Sequence, residues 1–274
     1  MTTTPRRIQL PEAFSSVTGL GAPVDYFPQG RTSRLIAPVA AVVMIFASLL
    51  TCGWGLDTGY GAYLRYGMAA IYGMITLPVL ITIGLFIGGI ALAWYAISNR
   101  GKCAVVYDKG LACQDRSGLQ TIRWEEIGEF YLSITRNFSY GIPVGTTYLF
   151  TVKKLGGGKL VFDNRFENVA HLGGLIGKSI LSIQYQLAAD IYNSGQTASF
   201  GPVAVSRAGL TVSKKTYPWN EIEQVSVQQG VFKVSKKGGG WFSGASTPVA
   251  SIPNLEAMLS IIDQVVGVKV GEAG

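Results

Sequence analysis

Apolar and polar positions alternate in two different ways along this chain. Residues 35–56 carry no charge between Arg34 and Asp57, and residues 66–99 carry none between Arg65 and Arg100. Each run exceeds the roughly 20 apolar residues that cross a bilayer as a helix. They predict two spans, near 35–56 and 76–97, with Tyr66 to about Ile75 lying at the interface or absorbed by tilt or a bend at Pro78. Asp57–Arg65 is predicted to be the turn between them. The residues before the spans, 1–33, are rich in Thr, Ser, Gly and Pro and predict a loosely ordered polar tail. Within it, LGAPVDYFP alternates like a short extended segment able to add to a sheet edge.

From residue 100 onward the pattern shortens to strand-length runs broken by glycine turns, and it occurs twice. VVYDKGLACQ, TIRWEEI, EFYLSITR, YLFTVKK and KLVFDN are answered by VAVSRAGLTVS, YPWNEI, QVSVQQG, VFKVSKK and WFSG. The shared signature is Gly110-Leu111 with Trp124 and Ile127, then Gly209-Leu210 with Trp219 and Ile222. Spacing differs where loops are expected to differ: DRSGLQTIR shrinks to KKTYP, and RNFSYGIPVGTTY has no second counterpart. Each copy closes with a helix. Val169, Leu172, Ile176, Ile180, Ile183, Leu187 and Ile191 step by three or four, and Leu255, Met258, Leu259, Ile262 and Val265 do the same between Pro253 and Gly267. The first helix, about 28 residues or roughly 42 Å, is longer than one small sheet needs, so its second half is expected to brace the second copy. The predicted fold class is α+β with membrane helices. Its parts are a tail (1–33), a transmembrane hairpin (34–99) and two tandem modules (100–195 and 196–274), each a bent antiparallel sheet with a C-terminal helix.

Composition agrees with a membrane setting: 48% of the residues are hydrophobic and only 14% charged. Arg6, Arg7, Arg31 and Arg34 precede the first span and Arg100, Lys102 and Lys109 follow the second, whereas the turn between holds only Arg65. Both termini are therefore predicted to be cytoplasmic. Trp54, Tyr60, Tyr63 and Tyr66 fit an outer aromatic belt, with Trp94 and Tyr95 at the inner one. LLTCG at 49–53 loosely matches a lipoprotein cleavage site, but Thr51 before Cys52 and the long preceding tail argue against cleavage. Neither span holds an Asp, Glu, Lys, Arg or His, which argues against transport. Gly84-x-x-x-Gly88 and Ala37-x-x-x-Ala41 are spacings at which helices approach closely, within the hairpin or in a homo-oligomer.

Candidate chemistry is sparse. Trp124 and Trp219 read as plugs at a sheet end rather than ligand contacts. KKLGGGK (Lys153, Lys154, Lys159) and SKKGGGWF (Lys236, Lys237, Trp241, Phe242) set lysines beside exposed amides, and the second adds aromatics, a combination suited to phosphate or an anionic membrane surface. The plainer alternative is a hairpin turn with solvated flanks. From Arg100 the chain has 18 Lys and Arg against 13 Asp and Glu, but they are interspersed and no nucleic-acid motif accompanies them. The single histidine, His171, has no nucleophile motif, Cys103 and Cys113 lack metal or redox spacing, and no cofactor or metal is expected. An enzyme would need Glu125, Glu126 and His171 to converge in a cleft between the modules.

Strand, Gly-Leu, strand, then Trp-x-Glu-Ile into another strand and a C-terminal helix resembles bacterial pleckstrin-homology-like (PH-like, GRAM-like) domains. More narrowly, LGAPVDYFP, SFGPVAVSRAGLTVSKKTYPWNEIEQVSV and the helix start Ile252-Pro253-Asn254 resemble a family of uncharacterised bacterial membrane proteins filed as a domain of unknown function. The resemblance covers most of the chain and implies a fold and a setting, the bacterial inner membrane, without an activity. The expectation is a non-enzymatic, membrane-tethered scaffold whose modules engage a protein, a peptide or anionic lipid. The alternatives are a membrane-bound enzyme or accessory subunit and a structural assembly factor.

Overall fold

The structure, a computed structural model, describes residues 10–140, 142–238 and 244–270. The chain separates into two compact units: residues 28–103 with 114–118, and residues up to 27 with 104–113 and 119 onward.

The first unit is dominated by α1 (Ala37–Tyr66), preceded by a π-helical turn at Thr32–Ile36, and α2 (Met68–Ser98). Both are long and apolar enough to cross a membrane. At 30 and 31 residues each is about 45 Å long, beyond the roughly 30 Å of a hydrocarbon layer. The chain reverses at Gly67 (φ 75°), and Asp57–Arg65, the expected turn, is instead the last part of α1. The reason lies in glycines within and just before that stretch: Gly55 and Gly59 serve as a packing surface, where an added Cβ would meet Pro78 at 3.0 Å and Ile75 at 3.3 Å. Ala37, Ala41 and Ser48 continue this buried stripe, and the Thr51 and Thr82 hydroxyls bond across it at 2.9 Å. On α2 the close approach falls at Gly88 and Gly89, against Met44 and Ile45, while Gly84 faces open space. Most of the large apolar side chains of both helices are exposed; Leu56, Tyr72 and Trp94 are each at least 70% exposed.

The second unit contains two hydrophobic cores, each built by the same succession of elements. In the first, β1 (Pro23–Phe27), β2 (Cys103–Tyr107), β3 (Gly110–Asp115) and β4 (Gly118–Arg123) form one sheet in that order. A 3-10 turn, Trp124–Glu126, leads into β5 (Ile127–Ser139), β6 (Ile142–Lys154) and β7 (Lys159–Asp163), an antiparallel sheet, and then into α3 (Val169–Asn193). In the second, β8 (Ala198–Phe200), β9 (Val203–Ser206), β10 (Gly209–Val212) and β11 (Lys215–Pro218) form a sheet. The turn Trp219–Glu221 is followed by β12 (Ile222–Gln228), β13 (Val231–Lys236), β14 (Ala245–Pro248) and α4 (Leu255–Val266). β15 (Val268–Val270) then adds to β12 in parallel.

Three sequence expectations change. The tail is ordered from Leu10: Phe14 and Leu20 are buried, the Lys109 amide bonds Leu20 O at 2.9 Å, and β1 pairs antiparallel with β2 from Pro23↔Tyr107 to Phe27↔Ala104. The extended segment upstream of the helices is thus the edge strand of the first sheet, as β8 is of the second, and the whole apolar hairpin is inserted between two neighbouring strands. The stretches expected as loops, DRSGLQTIR and KKTYP, contain the fourth strands β4 and β11. RNFSYGIPVGTTY is the outer part of β5 and β6, a ribbon of 13-residue strands where β12 and β13 have only 7 and 6. As its length requires, α3 serves both cores: Leu172, Ile176 and Ile180 lie in the first, and Ala188 in the second with Tyr185, Ile191 and Tyr192 beside it.

Candidate functional site

The duplicated signature has the same geometry in both copies. Trp124 Nε1 donates to Asp108 O at 3.0 Å, and Trp219 Nε1 donates to Ser206 O at 2.9 Å. Each indole thereby closes the strand turn that precedes Gly-Leu. The glycines are required by close approach: a Cβ on Gly110 would sit 2.3 Å from Ile122 O, and one on Gly209 2.2 Å from Tyr217 O. Leu111, Leu210, Ile127 and Ile222 point into the cores and are all buried. After the Trp turn, the Glu126 and Glu221 carbonyls accept the Leu155 and Lys237 amides at 2.9 and 2.8 Å. The repeat is therefore a folding device, with its polar atoms used internally.

The richest polar constellation is one the motifs did not flag, the seam between the two cores. Asn168 and Asn254 hold equivalent places before α3 and α4, both left-handed (φ 52° and 50°). Asn254 uses that conformation to dock on the edge of β5. Its N–H donates to Phe130 O at 2.8 Å and its Oδ1 accepts the Phe130 N–H at 3.0 Å. Its Nδ2 donates to Gly128 O and to Gln184 Oε1, both at 2.9 Å, while buried Gln184 donates to Ile127 O at 2.6 Å. Asn254 thus behaves as a short added strand whose side chain imitates a second peptide group. The cleft beside it, lined by Leu132, Ile180, Leu181 and Leu255 among others, encloses about 20 Å³, room for a single water.

The carboxylates and the histidine considered for catalysis are dispersed. Glu125 is exposed, and the Glu126 carboxylate accepts the Arg123 N–H at 3.0 Å. Glu129 pairs with Lys153 at 2.8 Å and accepts from the Tyr131 hydroxyl; the lysine, then the tyrosine, hold its carboxyl below the usual range against the opposing effect of burial. Reciprocally, Glu129 and Tyr131 hold the Lys153 ammonium above its ordinary value. His171 Nε2 lies 3.2 Å from Asp25 Oδ2, and its ring meets Phe27. It stands more than three turns before Gln184 on α3, about 20 Å from the end that touches Ile127. No group of His, Cys, Asp and Glu arranged to hold a metal ion occurs among the described residues.

Of the candidate contact lysines, Lys153 and Lys159 face each other across β6 and β7, and Lys154 reaches Thr121 O at 3.4 Å. Lys236 pairs with Glu221 at 3.0 Å, and Lys237 is exposed at the start of its glycine turn. Trp241 and Phe242 lie outside the described residues.

One buried group lacks a use. The Tyr107 hydroxyl on β2 has no hydrogen-bond partner among the described residues, and burial raises its pKa above the ordinary 10.0.

No curated protein matches the chain. A family model described as a family of unknown function (DUF6585) matches residues 11–269, and the chain belongs to that family.

Proposed function

We propose that this protein is a non-enzymatic scaffold of the bacterial inner membrane. A two-helix transmembrane hairpin tethers two PH-like modules, which engage a protein, peptide or anionic lipid at the cytoplasmic face. The observation that carries this reading is the insertion of the hairpin between β1 and β2. A strand pair at the edge of the first core continues into both ends of the hairpin, so two covalent links join the modules to it. Confinement at the surface raises effective concentration, and weak contacts then suffice. The outward apolar side chains of α1 and α2 support residence in lipid, since water would leave this surface uncovered. The basic flanks favour cytoplasmic ends. The PH-like reading is supported by the repeated order of four-stranded sheet, Trp turn, three-stranded antiparallel sheet and helix. The dispersal of Glu126 and His171 favours binding over catalysis.

Two measurements test the reading. Alkaline carbonate extraction should leave the chain in the membrane pellet, and a reporter fused after Val270 should respond only as a cytoplasmic one; release into the supernatant ends the tethering model. Co-sedimentation on phosphatidylglycerol and phosphatidylcholine vesicles, using a chain in which a short linker replaces the hairpin, separates the partner classes. Anionic-selective binding lost in a Lys236, Lys237 and Trp241 triple alanine variant identifies lipid; equal absence on both vesicles moves the partner to protein or peptide.

A further inference from the structure

The outer part of the β5–β6 ribbon carries an apolar tip that nothing in the described chain covers. Ile134, Phe138, Ile142 and Val144 are at least half exposed, and Tyr140 at the turn is fully so. This is an ordered ribbon: Ile134 faces Tyr148 and Thr135 faces Thr147, and Asn137 Nδ2 donates to Thr147 Oγ1 at 2.8 Å. From Phe130 to Phe162 there is no Asp or Glu, and the charged residues are Arg136, Lys153, Lys154 and Lys159. A solvated arm would carry mixed charges; this one is aromatic and aliphatic at the tip, with Arg136 as its charged residue between Leu132 and Val152.

The root of the ribbon also has a defined place. Asn164 grips β6 there, accepting the Tyr148 N–H at 2.7 Å and donating to Thr146 O at 2.8 Å. Shortly after Asn164 the chain enters α3, where His171 meets Asp25 and Phe27 at the end of β1. Phe27 leads within five residues to Thr32 and the first apolar helix. The ribbon therefore rises from the end of the first core at which β1 ends.

We infer that the β5–β6 ribbon is a second membrane-contacting element, its tip seated in the interface of an anionic bilayer. The inference rests on the tethering model. Tyr140 and Phe138 suit the interfacial zone, and Arg136, the charged residue of the ribbon beyond Leu132, complements anionic headgroups. Depth is limited by the backbone: β5 is the edge strand of its sheet, and edge amides and carbonyls are hydrated at the interface and not tolerated in hydrocarbon. Beyond Leu132 the strand extends about 20 Å at roughly 3.3 Å per residue, enough to reach a surface while the core remains in water.

The test uses the full chain reconstituted in mixed phosphatidylcholine and phosphatidylglycerol vesicles with an environment-sensitive fluorophore. One sample is labelled at native Cys52, exposed on α1, and the other at Ile142→Cys in a Cys52→Ala background; Cys103 and Cys113 are buried in both. The Ile142→Cys label should shift to the blue, lose most of its emission to a nitroxide on the lipid chains near the headgroup, and resist aqueous iodide. Replacing Phe138 and Tyr140 with Ser should reverse all three. Iodide quenching without nitroxide quenching overturns the inference by placing the tip in water; protection from both quenchers overturns it by placing protein over the tip. If the Cys52 label meets the nitroxide and the tip label does not, the ribbon inference alone falls; if neither does, the tethering model falls with it.

Discussion

Asn254→Gly isolates the energetics of the seam. Glycine accepts the left-handed backbone at φ 50° and keeps the amide bond to Phe130 O, so the substitution removes the side-chain bonds without backbone strain. Three bonds are lost, to the Phe130 amide, Gly128 O and Gln184 Oε1. At about 1 kcal/mol net for each, the cost is about 3 kcal/mol. Alanine should cost about 1 kcal/mol more, because its Cβ is disfavoured at positive φ. The assay is guanidinium unfolding of the full chain in detergent, followed by tryptophan emission in a background with Trp54, Trp94 and Trp241 replaced by Phe, so that Trp124 reports on the first core and Trp219 on the second. Besides the shift, the variant should broaden or split the transition, since Asn254 joins elements of both cores. A double-mutant cycle with Gln184→Ala should give a coupling near 1 kcal/mol, the share of one bond between them. A destabilisation below about 0.5 kcal/mol with an unchanged single transition would refute the claim that this residue holds the seam.

Other expectations follow from the same geometry. A chain in which residues 28–103 are replaced by a short Gly/Ser linker should be soluble and unfold cooperatively, because Phe27 and Ala104 are already paired; a fragment beginning at residue 100 lacks β1 and should be markedly less stable by the same denaturation assay. Gly110→Ala should lose about 1–3 kcal/mol, since the atom met at 2.3 Å is the Ile122 carbonyl rather than a side chain that can rotate; full stability in denaturant would contradict this. Tyr107→Phe should raise stability by about 1 kcal/mol by removing a buried hydroxyl without a partner among the described residues. The pH dependence has a definite sign: above pH 10.0 the unfolded chain releases the phenol proton while the folded chain, its pKa raised by burial, retains it. Stability therefore falls as pH rises from 10.0 toward the folded value, and thermal unfolding of Tyr107→Phe should show less of that fall.

Sequence alone determined the features that depend on local period and composition. The apolar runs predict two helices, α3 and α4 follow from residues stepping by three and four, and the duplication shows in Gly-Leu and Trp-x-Glu-Ile because both copies need the same close approach and the same indole plug. Even the edge strand was legible as alternation in LGAPVDYFP, although its partner lay beyond both apolar helices. Asp57–Arg65 misled because polar residues and glycines mark a turn only when no neighbouring helix needs their small surface, and α2 needs Gly55 and Gly59. RNFSYGIPVGTTY looked like a loop because its turn residues stand amid uncharged strand formers, and only pairing with its own return strand makes it a ribbon. The seam was beyond reach altogether: Asn254, Gln184 and Phe130 are far apart in the chain, and their types are unremarkable until folding brings one amide side chain against a strand edge. Local propensity is written in neighbouring residues, whereas a hydrogen-bonded junction between two cores exists only once both have formed.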